Sequence, residues 1–396
     1  MEFLLCFLLG MGLGIFAGLL PGIHVNNLTP LIPLLILSLH FPPLAGAMVV
    51  VTMAVVQTFI SYLPSTFLGV PEEGTALSVL PSHRMVLEGK GYLSLKITTT
   101  GCLWGLFMGV LFALLLAEIF GRIYALLNPL IGWILLAVIL LMILSEGSLY
   151  RMLWSLLIFL LSGALGLLTL DLGGKVLMPL LTGLFGTSVM LESLASRKKL
   201  PEQKVEGEFR PSLPPLLSGV GAGIFTGFLP GIGPAEGTVL SQLLTRSKRV
   251  EDFLFSVSVV NMVKVLFSFV ALYAIGKPRS GAAIAVGELL EMGRGELLSL
   301  LGVALLAGAL STLLVLPLGR LVFSKISKVP YRILCLSIFF FILFLTLFLC
   351  GPIGLPLLFT ATAIGLLPGR VGVRRSHGMG VILLPCTLYF LGLRSL

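Results

Sequence analysis

The amino-acid sequence predicts an all-α polytopic membrane protein with two inverted-topology repeats, each holding a Pro-Gly-broken re-entrant hairpin and about five membrane crossings. Three observations predict this fold class. Hydrophobic residues make up 57% of the 396 residues and charged residues only 11%, whereas about a quarter of a soluble domain is charged. Apolar runs of about 20 residues, the length that spans a bilayer, recur along the chain. The two halves of the chain also resemble each other.

The resemblance between the halves is clearest in a glycine-rich stretch near the start of each one. Residues 7–23 read FLLGMGLGIFAGLLPGI and residues 216–232 read LLSGVGAGIFTGFLPGI, with 11 of 17 positions identical at an offset of 209. Weaker matches follow in the same order, such as LGVPEEGTA at 68–76 with IGKPRSGAA at 275–283. Self-similarity that keeps its order along the chain indicates a duplication.

The duplication predicts three parts along the chain. Membrane repeat 1 covers residues 1–195, and membrane repeat 2 covers residues 213–396. Between them, residues 196–212 (SRKKLPEQKVEGEFRPS) form the one long polar stretch, which we interpret as a solvated linker.

The distribution of basic residues predicts the orientation. Pro21-Gly22 divides residues 3–40 into pieces that are marginal as separate spans, so we treat this segment as a re-entrant hairpin. Five crossings then follow in each repeat, and an odd number inverts the second repeat. In this topology 19 of the 26 Lys and Arg residues lie on one side and 6 on the other, with Lys264 inside a span. The positive-inside rule then places the linker in the cytoplasm and both chain ends outside the cell membrane.

The same sequence argues against several other classes of function. The net charge of +9 does not indicate nucleic-acid binding, because many of the basic residues lie in short loops between apolar runs. The five cysteines are scattered and form no CxxC pair or Cys/His cluster, so we expect neither a metal site nor disulfides. Without a P-loop, HExxH motif or nucleophile–base arrangement, the chain is predicted to be no enzyme and to hold no catalytic residue or cofactor.

The two Pro-Gly breaks predict the binding site of a small anionic solute. A backbone break within the bilayer must be buried in protein or line a wet cavity, and the helix start that follows it attracts anions. Packing of the glycines is the alternative explanation. The candidate residues are Pro21, Gly22, His24, Asn26, Asn27 and Thr29 in repeat 1, and Pro230, Gly231, Gly233, Glu236, Thr238 and Lys264 in repeat 2.

Lys264 is the most unusual of these candidates because it lies within an apolar span, where it aligns with Gln57. A lysine inside the membrane is costly, and Glu236 is its natural partner. The pair either only fixes the packing, or Lys264 binds the anion, or the pair exchanges a proton. Glu236 and His24 are therefore the candidates for coupling to H⁺ or Na⁺, although His24 is equally suited to a structural hydrogen bond.

The duplicated GxxxGxxPG motif resembles the large membrane subunit of the tripartite tricarboxylate transporters. Residues 69–92 and the stretch MPLLTGLFGTSVMLES at 178–193 are similar to further segments of that family. Two departures are His24 and Asn26 in place of small residues after the first Pro-Gly, and Pro81-Ser82-His83 where the family has Asp-Gly-Tyr.

The resemblance implies secondary transport of carboxylates by an ion gradient, with an extracytoplasmic solute-binding protein and a small membrane subunit as partners. A flippase for a phosphorylated lipid carrier, such as polyprenyl phosphate, is the alternative, because re-entrant inverted repeats also suit a site that opens sideways to lipid.

Overall fold

The computed structural model describes residues 2–20, 25–29, 31–38, 41–69, 74–173, 176–195, 201–205, 207–229, 233–245, 247, 249–326 and 331–394. Within these ranges the chain forms helices and turns and no strand. Helices are the expected solution for so apolar a chain, because a helix satisfies its own backbone hydrogen bonds where the bilayer offers no water.

Repeat 1 begins with helices of very unequal length. Its helices are α1 Glu2–Leu19, α2 Val25–Leu28, α3 Leu31–Ser38, α4 Pro43–Ile60, α5 Tyr62–Leu68, α6 Val79–Leu87, α7 Gly91–Leu127, α8 Ile131–Leu144, α9 Leu149–Thr169, α10 Leu177–Leu181 and α11 Ser188–Ala195. A π-helical segment, Thr182–Thr187, joins α10 to α11.

Repeat 2 follows a similar succession of short and long helices. Its helices are α12 Leu213–Phe228, α13 Pro234–Thr245, α14 Val250–Ile275, α15 Gly281–Leu289, α16 Arg294–Ile326, α17 Tyr331–Cys350, α18 Gly354–Val371 and α19 Gly380–Phe390. A 3₁₀ turn, Arg375–Met379, precedes α19.

In the described part of the chain, seven helical stretches are long and apolar enough to cross a bilayer by length and composition. They are Glu2–Leu19, Pro43–Phe67, Gly91–Leu144, Leu149–Leu172, Val250–Ile275, Arg294–Val322 and Gly354–Val371. The predicted class, an all-α polytopic membrane protein, is therefore confirmed. The inverted relation between the repeats stays a prediction.

The chain divides into two compact units. Unit 1 comprises Met1–Pro64, Tyr92–Ala125 and Val205–Val322. Unit 2 comprises Ser65–Gly91, Leu126–Lys204 and Phe323–Leu396. Each unit draws on both sequence repeats, so the units do not coincide with the predicted parts 1–195, 196–212 and 213–396, which divide the chain by sequence similarity.

Unit 1 is organised around α4 and α14, whose side chains are buried over most of their length. α1 and α3 contact α4, while α12 and α13 contact α14. α4 and α14 contact each other, and α15 contacts α2, α3, α4 and α14. The helices on either side of both Pro-Gly breaks therefore belong to one compact unit.

In unit 2, helices of repeat 1 pack directly against helices of repeat 2. α9 of repeat 1 packs against α19 of repeat 2, and α18 of repeat 2 packs against α10 and the π-helical segment of repeat 1. Gly166 and Gly365 lie at these two crossings, where a Cβ atom would overlap the backbone of Val381 and Leu184, respectively. Only glycine allows helices to approach so closely.

The polar linker is docked against the protein, although most of its described charged side chains are exposed as we expected for a solvated segment. In unit 2, buried Gln203 accepts a hydrogen bond from the Gly91 N–H at 3.1 Å and donates one to the Val86 carbonyl at 2.9 Å. In unit 1, Lys96 Nζ donates to the Gly207 carbonyl at 3.0 Å. Composition alone does not reveal this docking, because it depends on backbone carbonyl and N–H groups.

Candidate functional site

The first Pro-Gly break follows a helix that lies very close to α4. At Gly10 a Cβ atom would lie 2.7 Å from the Val49 carbonyl oxygen. At Gly14 and Gly18 it would lie 2.6 Å from Val56 Cβ and 2.6 Å from Ile60 Cβ. Real Cβ atoms do not approach so closely, so this face of α1 requires glycine at each helical turn. The glycines therefore fix α1 on α4 up to the break.

The second Pro-Gly break follows a helix that packs on α14 in the same way. A Cβ atom on Gly223 would lie 2.6 Å from Val263 Cβ, and one on Gly227 would lie 2.5 Å from Phe267 Cβ. The glycines of α1 and α12 are separated by the offset of the sequence repeat. The chain thus enters each break from the end of one of two equivalent helix pairs.

These contacts also align α4 with α14 residue by residue. A Cβ atom on Gly18 would lie 3.3 Å from the Gln57 carbonyl oxygen, and one on Gly227 would lie 3.2 Å from the Lys264 carbonyl oxygen. Gln57 and Lys264 therefore occupy the same place in the two helix pairs, which agrees with their alignment in sequence. One pair carries a neutral side chain in this place, and the other pair carries a cation.

After the second break the chain turns back along α12. Ser241 on α13 lies between the two neighbouring helices, with its Oγ 2.7 Å from Ser218 Oγ on α12 and 2.5 Å from Ser256 Oγ on α14. Gly237 lies against Thr226 of α12, where a Cβ atom would be 2.7 Å from the methyl carbon. α12 and α13 have 16 and 12 residues, about 24 and 18 Å, so each is shorter than the roughly 30 Å core of a bilayer.

The structure places the predicted site residues to different extents. Thr29 and Thr238 are buried, and Thr238 Oγ1 donates to the Pro234 carbonyl at 2.8 Å within α13. Gly233 is buried directly before α13, and Lys264 is half-buried in α14. Asn26 and Asn27 lie in α2 and Glu236 lies in α13, but their side chains are outside the described part. Pro21, Gly22, His24, Pro230 and Gly231 lie outside the described residues altogether.

A band of buried polar side chains on α4 and α14 was missed by the sequence reasoning. The band comprises Thr52, Gln57 and Thr58 on α4, Ser61 directly after α4, and Ser256, Ser258, Asn261 and Ser268 on α14. Several of these hydroxyls donate to carbonyls of their own helix, as Thr58 Oγ1 does to Ala54 at 2.8 Å. Their number within two apolar helices is the sequence signal that could have directed attention to α4 and α14.

A second buried polar cluster, in unit 2, was also missed. His377 Nε2 lies 2.8 Å from Glu146 Oε1, which also accepts a hydrogen bond from the Arg374 N–H at 3.1 Å. Nearby, Arg375 donates to Glu192 at 2.6 Å. Burial lowers the pKa of His377, and the hydrogen bond and charge of Glu146 oppose this change. The described residues contain no group of three His, Cys, Asp or Glu that could hold a metal ion.

Comparison with known proteins identifies one family. The family model described as the tripartite tricarboxylate transporter TctA family matches residues 4–380. The chain is 30% identical over 407 aligned residues to the uncharacterized protein MJ1079 of Methanocaldococcus jannaschii, and the match covers 98% of this chain and 99% of that protein. No solved structure matches the chain.

Proposed function

Because this chain belongs to the tripartite tricarboxylate transporter TctA family, we propose that it is a secondary active transporter for an anionic solute, namely a di- or tricarboxylate. The observation that carries this proposal is the pair of equivalent glycine-packed helices, α1 on α4 and α12 on α14, each leading to a Pro-Gly break. Paired broken helices at corresponding places in two repeats are typical of the binding sites of secondary transporters.

The proposed binding site lies at the two breaks. The backbone N–H groups after each break, together with Asn26, Asn27, Thr29 and Thr238, supply hydrogen bonds to carboxylate oxygens. Lys264 supplies the positive charge, and the neutral Gln57 takes its place in the other helix pair. Such a difference suits one asymmetric solute bound between two related elements.

Transport requires a driving force and a movement. We propose that an H⁺ or Na⁺ gradient drives uptake, with Glu236 or His24 binding the coupling ion, and that one repeat moves against the other to give alternating access. The orientation follows the basic residues, with residues 196–212 in the cytoplasm. The partners proposed from the family are an extracytoplasmic solute-binding protein and a small membrane subunit.

Uptake into proteoliposomes tests the proposal. The purified protein is reconstituted, and uptake of labelled citrate and succinate is measured under an imposed H⁺ gradient, under an imposed Na⁺ gradient, and without a gradient. We expect uptake above protein-free vesicles under at least one gradient, and collapse of that gradient by an ionophore should abolish it. An absence of gradient-dependent uptake for both solutes would contradict the proposal.

A further inference from the structure

The short connection between α14 and α15 places two cations in a fixed position in unit 1. α14 ends at Ile275, and the left-handed backbone of Gly276 (φ 63°) turns the chain out of the helix. Ser280 caps α15 by accepting a hydrogen bond from the Ala283 N–H at 3.1 Å, and its Oγ donates to Ser268 Oγ at 3.0 Å. Lys277 and Arg279 lie between these two anchored points.

Both cations lie over the same aromatic ring. The guanidinium carbon of Arg279 lies 5.0 Å from the centroid of the Tyr124 ring, and Lys277 Nζ lies 5.9 Å from it. The Tyr124 ring also packs on Phe228, with ring centroids 5.6 Å apart. Phe228 is the last residue of α12, two positions before Pro230. The cluster therefore adjoins the chain that enters the second Pro-Gly break.

Arg279 lacks the acceptor that a buried guanidinium requires. Its Nε and Nη2 atoms are buried, and neither has a hydrogen-bond partner among the described residues. Donors of a charged group are expensive to bury without an acceptor. Glu118, an acid on the helix that carries Tyr124, accepts a hydrogen bond from Tyr273 at 2.9 Å and lies 3.9 Å from Arg294 Nε. An acceptor from outside the chain would satisfy Arg279.

The sequence of repeat 1 shows that these cations are not a general requirement of the fold. In the aligned stretch, Lys277-Pro278-Arg279 corresponds to Val70-Pro71-Glu72. The proline is kept, but one cation is replaced by an apolar residue and the other by an acid. A structural contact common to both repeats would not tolerate a reversal of charge, so the basic character belongs to repeat 2 alone.

We propose that Arg279, Lys277 and Tyr124 form a binding site for a small carboxylate anion next to the second Pro-Gly break. The planar guanidinium presents its N–H groups as a fork that matches a carboxylate, and the Tyr124 ring holds the plane of the fork. Lys277 adds a second cation for a second carboxylate, so di- and tricarboxylates bind more tightly than monocarboxylates. The site rests on the proposed function only in its role of passing the anion to the break.

Binding measured without transport tests this site. The purified protein is titrated with citrate, succinate and acetate by isothermal calorimetry in detergent. Arg279→Gln removes the charge, Arg279→Lys keeps the charge but not the fork, and Arg294→Gln is the matched control, since Arg294 is exposed and pairs with Glu118. Each variant is first checked for monodispersity and for thermal unfolding without ligand.

We expect citrate to bind the wild type and acetate to bind far more weakly. Arg279→Gln should weaken citrate binding about 10- to 100-fold, as loss of hydrogen bonds to a charged group implies. The citrate affinity of Arg279→Lys should lie between those of the wild type and Arg279→Gln. The affinity of Arg294→Gln should be close to that of the wild type. Wild type that binds none of the three anions, or Arg279→Gln that binds citrate as tightly as the wild type, would overturn the proposal.

Two further results separate this site from the proposed function. If the wild type shows gradient-driven uptake but Arg279→Gln binds citrate with unchanged affinity, the proposed site is contradicted and the proposed transport function stands. If citrate binds in an Arg279-dependent way but no gradient drives uptake, the site stands and the transport mechanism is wrong. Binding of an acidic protein that depends on Arg279, with no binding of citrate, would also overturn the site, because it would assign the cluster to a protein partner.

Discussion

His377 and Glu146 form a buried pair in unit 2, with His377 Nε2 2.8 Å from Glu146 Oε1 and side chains only 1% and 5% exposed. The pair joins the turn between α8 and α9 to the 3₁₀ turn that precedes α19. Since the Arg374 N–H donates to the same carboxylate oxygen, Glu146 holds two points of the α18–α19 connection at once.

Removal of the Glu146 carboxylate should destabilise the protein. Glu146→Ala leaves the Arg374 N–H and the His377 ring without their acceptor, which costs about 2–4 kcal/mol for a buried hydrogen-bonded charge. Thermal unfolding in detergent should show a clear fall in Tm. Glu208→Ala is the control, because Glu208 has an 84% exposed side chain and forms a surface ion pair with Arg210. Equal Tm values for the two variants would contradict a structural role for the pair.

Acidification should destabilise the protein through its buried histidines. Burial lowers the pKa of His83 to about 4 and also lowers the pKa of His377. An unfolded chain binds these protons near the ordinary histidine pKa of about 6.5, so between about pH 6.5 and 4 the unfolded state holds more protons. Stability should therefore be full above about pH 6.5 and fall by up to about 3 kcal/mol for His83 as pH drops to about 4.

Unfolding measured at pH 7.5 and pH 5 tests this dependence. The difference in Tm between the two pH values should be smaller in His83→Gln than in the wild type, because glutamine does not titrate. The comparison uses the slope with pH, so a uniform loss of stability in the variant does not affect it. An unchanged slope would show that His83 has the same pKa in the folded and the unfolded protein.

Gly166 and Gly365, which lie at helix crossings in unit 2, should tolerate no side chain. Gly166→Ala and Gly365→Ala each place a Cβ atom onto backbone of a neighbouring helix, and we expect each to cost more than about 2 kcal/mol or to prevent folding. Gly302→Ala is the control, because a Cβ atom there meets nothing within 4 Å and alanine favours a helix. Yield of monodisperse protein and Tm report the result. Wild-type behaviour of Gly166→Ala would show that α9 and α19 have room for a methyl group at this crossing.

Lys264 should be required for transport. Lys264→Gln copies the residue of the equivalent position, Gln57, and removes the positive charge that is proposed to hold the anion. We expect citrate uptake to fall at least about tenfold, the equivalent of one lost charge-assisted hydrogen bond. Val265→Gln is the control, because it introduces the same side chain at the neighbouring half-buried position of α14. Equal losses in the two variants would assign the effect to packing.

The predicted orientation should be visible to a membrane-impermeant maleimide. In a background without the native cysteines, Lys277→Cys should be labelled in intact cells, whereas Glu208→Cys should be labelled only after the cells are permeabilised. Both positions are exposed, so access to the reagent decides the outcome. Labelling of both positions in intact cells would overturn the topology, and with it the inverted relation between the repeats.

Much of the helical framework could be predicted from the sequence. Five crossings are expected after the first hairpin, and those at about 44–63, 93–118, 128–145 and 151–170 correspond to α4, α7, α8 and α9. The fifth, at about 176–192, corresponds to the shorter α10, the π-helical segment and α11. These helices could be predicted because apolar runs long enough to span a bilayer and Pro-Gly pairs are local features of the sequence. The alignment of Gln57 with Lys264 was also visible, since a repeat keeps its register along the chain.

The contacts between distant segments could not be predicted from one sequence. Glu146 and His377 look like ordinary loop residues, because nothing local shows that they will be buried together. Arg279 and Tyr124 are likewise far apart in the chain, and only the fold places the guanidinium on the ring. Charge and periodicity describe one helix at a time, whereas sites of this kind depend on which helices become neighbours.

In unit 2, α9 packs against α19, a helix that is synthesised much later. The Ser162 hydroxyl of α9 donates to the His377 carbonyl at 3.2 Å, across 215 residues of chain. At about 5–20 residues per second, the ribosome needs roughly 10–40 s to make that length. During this interval α9 is already in the lipid while its partner is not yet synthesised. The unfinished protein thus presents an uncovered face of α9 until α19 is made.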